Sequence, residues 1–248
     1  MPTALVTGAT QGLGRALAEA LAVRGWNLLV TARDASRLTA TVCSLRDHGH
    51  DAVGLAGDVS DAVHREEVAA VVTELAGSDG LDLLVHNAST LGPVPLRPLR
   101  ELTTDDLAAV LAVNVVAPHA LTRSLLPSLE AAGGTVLAVS SDAAVEHYEA
   151  WGAYGASKAA LDHLTLTLAA ELPAVRAYAV DPGDMRTEMH QAAFPGEDIS
   201  DRPLPEDVAV PGILALLDAR PVSGRYRAAD LLAANPPANP PARPAVAS

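Results

Sequence analysis

The stretch that decides the fold is residues 4–14, A-L-V-T-G-A-T-Q-G-L-G. The apolar residues before its first glycine predict a short strand, and residues 15–24 carry apolar side chains at helical spacing. Glycines between a strand and a helix let the backbone turn sharply and approach a bound group closely. The free N–H groups at the start of the helix would then face a pyrophosphate. Strand, glycine loop and helix together predict a dinucleotide-binding site.

Beyond this unit, apolar runs and helical patterns alternate along the chain. The predicted strands are residues 27–32, 52–56, 81–85, 134–140, 175–180 and 224–228; the predicted helices are residues 35–49, 62–76, 105–126, 152–170 and 206–219, with interruptions near Pro118 and at Pro211 and Gly212. Nearly continuous apolar runs are typical of parallel strands that helices cover on both faces. The sequence therefore predicts an α/β fold, a single-domain doubly wound parallel sheet (Rossmann-like) with helices on both faces.

The domain organisation follows from the same patterns. We interpret residues 1–232 as one domain without internal repeats. Residues 184–205 lack strong periodicity, and a stretch of this kind inside a compact domain is often a lid over a site. Residues 233–248 are rich in proline and predict a disordered or polyproline-like tail.

Composition excludes several classes of function. The chain has 248 residues, of which 49% are hydrophobic, and a formal net charge of -13, so nucleic acid and anionic membrane surfaces are poor partners. The single cysteine, Cys43, rules out an internal disulfide and fits a reducing compartment. We see no signal peptide and no run of the roughly 18 apolar residues that a membrane helix needs. We expect a cytoplasmic protein that binds neither nucleic acid nor membrane.

Two further kinds of site find no support in the sequence. The eight histidines are scattered and do not cluster with Cys43 at metal-ligand spacing, so we predict no metal site. A serine hydrolase would carry a G-x-S-x-G elbow, which is missing.

A second informative stretch is residues 141–158, S-D-A-A-V-E-H-Y-E-A-W-G-A-Y-G-A-S-K. On the predicted helix, Tyr154 and Lys158 lie at i and i+4 on one face. A nearby ammonium favours the phenolate and would lower the pKa of Tyr154 from its usual value near 10. Ser141, at the end of a predicted strand, could hold a substrate oxygen while Tyr154 gives or takes its proton. The alternative is a surface tyrosine over an aliphatic lysine stem.

Three single residues each allow two interpretations. The second strand ends where an acid would bind a ribose 2′-OH, but the chain has Arg33 next, which favours a 2′-phosphate and hence NADP over NAD; alternatively Arg33 is a solvated surface residue. Asp58 could accept from an adenine amino group or form a turn. Asn114, among apolar residues, could satisfy the local backbone or hold water near an active site.

Together these residues resemble the short-chain dehydrogenase/reductases, in their short single-domain form. The matching pieces are Thr7-Gly8-x-x-x-Gly12-x-Gly14, Asp58-Val59, Asn87-Ala88, Asn114, Ser141, Tyr154-x-x-x-Lys158 and Pro182-Gly183-x-x-x-Thr187. They occur in the order and at the spacing of the family, across roughly residues 3–187.

The resemblance implies a role for each matched residue. Tyr154 would be the general acid/base, Lys158 would bind the nicotinamide ribose and lower the tyrosine pKa, Ser141 would orient the substrate, and Asn114 would support a water relay behind the lysine. The implied cofactor-binding set is Gly8, Thr10, Gln11, Gly12, Leu13, Gly14, Arg33, Asp58, Val59, Asn87, Ala88, Tyr154, Lys158, Pro182, Gly183 and Thr187. The family also implies a homodimer or homotetramer.

We therefore expect an NADP-dependent oxidoreductase that interconverts a carbonyl and a secondary alcohol of a small molecule, with NADP(H) preferred and NAD(H) possible. Two alternatives stay open: a non-catalytic NADP-binding sensor or scaffold, and an epimerase or dehydratase that retains its cofactor. Candidate substrate-pocket residues are His147, Tyr148, Trp151, Met185, Met189, His190 and Phe194. Nearby acids, Asp142, Glu146, Glu149 and Asp184, hint at a polar or cationic substrate.

Overall fold

The computed structural model describes residues 1–234 and contains a parallel sheet of seven strands. The strands are β1 (Thr3–Thr7), β2 (Asn27–Ala32), β3 (Ala52–Ala56), β4 (Leu83–His86), β5 (Thr135–Val139), β6 (Arg176–Asp181) and β7 (Gly224–Arg227). Their order is β3-β2-β1-β4-β5-β6-β7, and every neighbouring pair is parallel. The predicted doubly wound sheet is confirmed.

Helices connect the strands and cover both faces of the sheet. They are α1 (Gly12–Val23), α2 (Ala35–Arg46), α3 (Ala62–Ala76), α4 (Thr104–Leu111), α5 (Ala117–Ala132), α6 (Gly152–Glu171), α7 (Glu188–Ala193), α8 (Ala209–Ala219) and α9 (Ala228–Ala234). A π-helical turn, Ala112–Val116, joins α4 to α5.

The core explains why the strands are apolar throughout. Side chains alternate between faces along a strand, so Leu28 and Val30 of β2 pack with α1, α2 and α8, whereas Leu29 packs with α3 and α5. Both faces are dry because helices cover both. Few polar positions are therefore available in the strands, and the functional side chains gather at the strand ends.

All seven carboxyl ends lie on one edge of the sheet because the strands are parallel. The chain runs outward from β1 to β3 and then crosses back to β4, which pairs with the other side of β1. Such a reversal opens a crevice above the carboxyl ends of β1 and β4, where ligands bind in doubly wound sheets. The glycine loop follows β1 and Asn87 follows β4, so both lie at this crevice.

The predicted interruption of the long helix near Pro118 is wrong. The chain is helical throughout Thr104–Ala132, and the irregularity is the π-helical turn that contains Asn114. Pro118 lies at the start of α5, where its ring is tolerated. By length and composition alone this stretch could cross a membrane, but core helices meet the same criterion, and Leu121, Leu125 and Leu129 pack in the core.

Three expectations for the last part of the chain also need correction. Residues 184–205 are not structureless, because Thr187 caps α7 by accepting from His190 N–H; the helix is too short to show periodicity. Helix α8 is not broken, since Pro211 sits in its first turn, where a missing N–H costs nothing. The predicted tail overlaps α9 at residues 233–234, and its remainder lies outside the described residues.

Candidate active site

A cleft of about 1110 Å³ follows the carboxyl edge of the sheet. Of the predicted site residues it is lined by Gly8, Thr10, Gln11, Gly12, Leu13, Arg33, Asp58, Val59, Asn87, Ala88, Ser141, Tyr154, Lys158, Pro182, Gly183 and Thr187. Gly14 and Asn114 lie immediately behind its wall. Residues far apart in sequence are thus brought to one concave surface.

The glycine loop is held against the end of β4. Gly8 has φ +68, and a Cβ added there would come within 2.9 Å of Ala88 Cα. A Cβ at Gly14 would collide with the Asn87 amide and with the Gly8 carbonyl oxygen. Asn87 Nδ2 donates to the Thr7 and Gly8 carbonyl oxygens at 2.9 and 3.0 Å. The loop is therefore a preformed cradle of backbone, which depends on glycine at both positions to pack against Asn87 and Ala88.

Two arginines face the outer end of the cleft, beyond β2. Arg33 is exposed and lines the cleft as predicted. Arg37, in the first turn of α2, lines it as well; its guanidinium donates to Gln11 Oε1 at 2.7 Å and lies 3.4 Å from the Glu188 carboxylate. Sequence reasoning missed Arg37, although its position one helical turn after Arg33 could have signalled it.

Asp58 forms a turn, which was one of its two predicted roles, and it also lines the cleft, where the second role, accepting from an adenine amino group, stays a prediction. Its carboxylate accepts from Ser60 N–H and Ser60 Oγ at 2.8 and 2.7 Å, which forms the turn after β3. Partial burial acts to raise the pKa of Asp58, but these two hydrogen bonds and the nearby Arg33 hold it below its usual value. An ionised carboxylate thus lines the cleft on the same side as the two arginines.

At the inner end of the cleft, α6 presents Tyr154 and Lys158 as predicted. Both are buried, and Lys158 Nζ lies 5.5 Å from the centroid of the Tyr154 ring and donates to the Val139 carbonyl oxygen at 2.7 Å. Burial lowers the pKa of Lys158 to about 8, although Asp162 opposes this shift. Burial raises the pKa of Tyr154, and a hydrogen bond with Ser141 opposes it. The predicted lowering of the tyrosine pKa is therefore not what this structure gives; burial dominates.

Ser141 is tied to its neighbour Asp142. Ser141 Oγ donates to Asp142 Oδ1 at 2.9 Å and accepts from Ala143 N–H at 3.1 Å, while Tyr148 Oη donates to Asp142 Oδ2 at 2.8 Å. Partial burial would raise the pKa of Asp142, but the Tyr148, Ser141 and Ala143 hydrogen bonds lower it. The serine thus directs its proton to a carboxylate and, with one lone pair bound to Ala143 N–H, leaves the other for a donor in the cleft.

Asn114 connects the π-helical turn to the catalytic helix. It is fully buried; its Oδ1 accepts from Thr90 N–H at 2.8 Å, and its Nδ2 donates to the Thr90 carbonyl oxygen and to Ser157 Oγ, both at 2.9 Å. Ser157 Oγ in turn donates to the Tyr154 carbonyl oxygen at 2.7 Å. The interpretation that Asn114 satisfies the local backbone is confirmed, whereas its role in holding water stays a prediction.

An aromatic cluster closes the inner end of the cleft. The Trp151 ring lies 5.5 Å from Tyr154 and 5.9 Å from Phe194 of the α7 segment, measured between centroids. Of the predicted pocket residues, Trp151, Met185, Met189 and His190 line the cleft together with Asp142 and Asp184. His147, Tyr148, Phe194, Glu146 and Glu149 do not line it. The surface next to Tyr154 is therefore mainly apolar with carboxylates nearby.

The lysine content of the chain is a further signal, which the motifs did not show. Lys158 is the only lysine in the sequence; all other basic side chains apart from histidine are arginines. Unlike arginine, lysine can lose its proton when buried, and its compact ammonium fits a confined site. The only lysine of the sequence is thus buried beside Tyr154.

Comparisons with known proteins agree with this geometry. Residues 2–198 match the family model for short chain dehydrogenases. An uncharacterized oxidoreductase of Mycobacterium tuberculosis is 36% identical over 188 residues, 74% of this chain and 69% of the relative. The chain belongs to the short-chain dehydrogenase family, a family of oxidoreductases.

Solved structures of the family extend the similarity over nearly the whole chain. A short chain dehydrogenase from Salmonella enterica serovar Typhi superposes with a TM-score of 0.84 at 31% identity, covering 92% of this chain and 95% of the other. An alcohol dehydrogenase from Thermococcus sibiricus, complexed with 5-hydroxy-NADP, gives a TM-score of 0.82 at 29% identity, with 92% and 95% covered.

Proposed function

We propose that this protein is an NADP-dependent oxidoreductase that interconverts a carbonyl and a secondary alcohol of a small molecule. The observation that carries the proposal is the placement of Ser141, Tyr154 and the only lysine, Lys158, on the wall of the cleft that also contains the glycine loop. A cofactor on the loop would extend along the cleft to this trio.

The cleft fits the cofactor by shape and by charge. Because Gly8 and Gly14 lack side chains, the glycine loop packs closely on Asn87 and Ala88, and this packing supports the start of α1 as the place where a pyrophosphate would bind. Arg33 and Arg37 provide two guanidinium groups where the 2′-phosphate of NADP would lie. The Thermococcus sibiricus relative is complexed with an NADP derivative, which supports the same choice. NAD(H) would lack the phosphate that pairs with these arginines.

NADPH, when bound, supplies the hydride that adds to the carbonyl carbon. Tyr154 gives its phenolic proton to the carbonyl oxygen, so that one hydride and one proton yield the alcohol. Because burial raises the pKa of Tyr154, the phenol is protonated at neutral pH and is ready to act as the acid in reduction. Ser141 holds the reacting oxygen, and the Lys158 ammonium, confined by Val139, stabilises the phenolate that forms.

We propose that Asn114 supports the path by which a proton returns to Tyr154. We assign it the water relay behind Lys158 because it is buried and bonded to Ser157, which holds the Tyr154 backbone. Residues 184–205 would act as a lid over the substrate, since Met189 and His190 line the cleft. The apolar wall around Trp151 suits a small organic carbonyl compound as substrate.

The remaining expectations stay part of the proposal. We place residues 1–232 in one catalytic domain, in the cytoplasm, as a homodimer or homotetramer that needs neither nucleic acid nor membrane. The net charge of -13 and the single Cys43 support the location and the exclusion of polyanionic partners.

The first test is a cofactor titration by fluorescence on wild type and on Arg33→Ala, Arg37→Ala and the double variant. We expect NADPH to bind more tightly than NADH, and each arginine substitution to weaken NADPH about tenfold, as for one charge-assisted contact. NADH binding should not change. Arg24→Ala is the matched control, because Arg24 pairs with Asp218 on the surface away from the cleft.

The other outcomes separate the alternatives. Binding of NADH alone would keep the oxidoreductase and overturn the choice of cofactor. NADPH binding without consumption against a panel of aldehydes and ketones would favour a sensor or scaffold. Conversion of a hydroxylated substrate without net NADPH consumption would indicate an epimerase or dehydratase.

A further inference from the structure

An ionic cluster lies directly beneath the candidate active site, and no sequence motif announces it. Arg225, on the edge strand β7, donates through Nε to Asp162 Oδ2 at 3.1 Å and through an Nη to the Ser141 carbonyl oxygen at 2.8 Å. The same guanidinium lies 3.5 Å from Asp181 Oδ2. One side chain therefore touches the segments that carry the serine, the catalytic helix and the end of β6.

We propose that Arg225 and Asp162 are positioning residues of the reaction, which hold Ser141 in place and keep the Lys158 side chain charged. This inference rests on the proposed function for its kinetic consequences. Its electrostatic part concerns only side chains of this chain and is open to measurement without a cofactor.

The positioning argument follows from what Arg225 fixes. Its hydrogen bond to the Ser141 carbonyl oxygen anchors the backbone at the serine, just after the end of β5. Ser140 Oγ donates to Asp162 Oδ2 at 2.7 Å, so the residue before the serine is tied to the same carboxylate. Asp181 Oδ1 accepts from Gly183 N–H at 3.0 Å and thereby links Arg225 to the turn that lines the cofactor cleft.

The charge argument follows from burial. Asp162 and Asp181 have side chains only 10% and 4% exposed, and Arg225 is 24% exposed. The two carboxylates face Arg225 and the buried Lys158, and the exposed Arg227 lies 3.7 Å from Asp181 at the edge of the cluster. A buried charge that loses its partner is strongly destabilised, so the members hold each other in their ionised states.

Asp162 acts on the two groups proposed to handle the proton. Lys158 and Asp162 are one helical turn apart on α6, and the carboxylate raises the pKa of Lys158 against burial. It also raises the pKa of Tyr154. Burial raises the pKa of Asp162 itself, and Arg225 opposes that shift together with Ser140 and Lys158.

The other groups around this pair do not replace Asp162. His86, from β4, is uncharged because burial and Lys158 lower its pKa to about 3. Asp142 and Asp181 also raise the pKa of Tyr154, but neither acts on Lys158 to a comparable degree. Of the carboxylates in the described residues, Asp162 is thus the one that supports the ammonium.

The single lysine makes the test direct. Protein labelled with ¹³C,¹⁵N-lysine gives one side-chain signal, and its pH titration reports Lys158 without assignment. We expect a lower titration midpoint than wild type in Asp162→Asn, because this substitution removes the carboxylate that raises the pKa of Lys158. A wild-type midpoint in Asp162→Asn, with native circular dichroism, would overturn the electrostatic part of the proposal.

Kinetics test the positioning part. Arg225→Gln should lower kcat by up to about 10²-fold, as for a misplaced reacting group, with the KM for NADPH changed much less. The alkaline limb of the kcat profile should move to lower pH in Asp162→Asn, because that carboxylate raises the pKa of both Tyr154 and Lys158. An unchanged kcat in Arg225→Gln would contradict the positioning part of the proposal.

Arg24→Gln is the control, since it breaks a two-contact pair with Asp218 on the surface and should change neither the midpoint nor kcat. If wild type consumes no NADPH with any carbonyl compound, the proposed function fails. The lysine titration then still decides whether the cluster controls Lys158.

Discussion

The two halves of the cleft are built on different physical principles. In the half proposed to bind the nucleotide, called the nucleotide half, the loop after β1 is held by close packing and neutral hydrogen bonds, such as those of Asn87 to Thr7 and Gly8, and its arginines are exposed. In the half proposed to be catalytic, called the catalytic half, around β5, β6 and α6, the structure buries Lys158, Asp162 and Asp181. Close packing shapes the loop of the first half, whereas buried charges balance one another in the second.

The difference teaches where each half is sensitive. A shape-based cradle fails when an atom is added, and the failure is local. A buried charge cluster fails when a charge is removed, and the loss spreads to every partner. Substitutions in the two halves should therefore differ in kind as well as in size.

The largest expected effect tests the catalytic half at its centre. Tyr154→Phe removes the proton donor but keeps the ring against Trp151, so kcat should fall by about 10²- to 10⁴-fold while NADPH binding stays measurable. Steady-state turnover and a fluorescence titration on one preparation check both. Full activity in this variant would break the comparison, because the catalytic half would then hold no essential proton donor.

The next effect tests the nucleotide half by adding one methyl group. Gly8→Ala places a Cβ within 2.9 Å of Ala88 Cα, and overpacking of this kind costs about 1–3 kcal/mol, which we expect to appear as weaker NADPH binding. Gly49→Ala is matched, because Gly49 also has positive φ but no atom within 4 Å of an added Cβ. Equal NADPH dissociation constants in the two variants would show that the methyl group at Gly8 does not disturb the cradle.

A smaller effect sharpens the boundary between the halves. Asp142→Asn keeps the shape beside Ser141 but removes the charge that receives its proton, so we expect kcat to fall about tenfold, as for one hydrogen bond to a charged group. Glu146→Gln, an exposed acid nearby that does not line the cleft, should leave kcat unchanged. If Asp142→Asn turns over at the wild-type rate, the catalytic half depends on fewer charges than the structure indicates.

The same division explains what sequence could predict. The strand-glycine-helix unit and the Tyr154–Lys158 pair are local patterns, and both lie at the cleft as expected. Arg225 lies 84 residues from Ser141, on a strand whose position depends on the whole sheet, so no local pattern could link them. The pKa direction of Tyr154 was wrong for a related reason: spacing places the ammonium, but only packing determines burial.

Local patterns also failed where a motif was short or irregular. Helix α7 is too brief to show a period, although Thr187 followed by Glu188 forms a recognisable start. The π-helical turn at Asn114 has no sequence signature of its own, and Pro118 misplaced the irregularity by a few residues. Both features border the cleft, where function and regular periodicity compete.

The single lysine has one more consequence. Because Lys158 is 2% exposed, no side-chain amine is available on the surface, and amine-reactive reagents can reach only the N-terminal amine while the fold stays closed. Acylation of Lys158 would therefore occur only when the cleft wall opens. The rate of that acylation, with and without NADPH, would measure how often the catalytic half opens transiently.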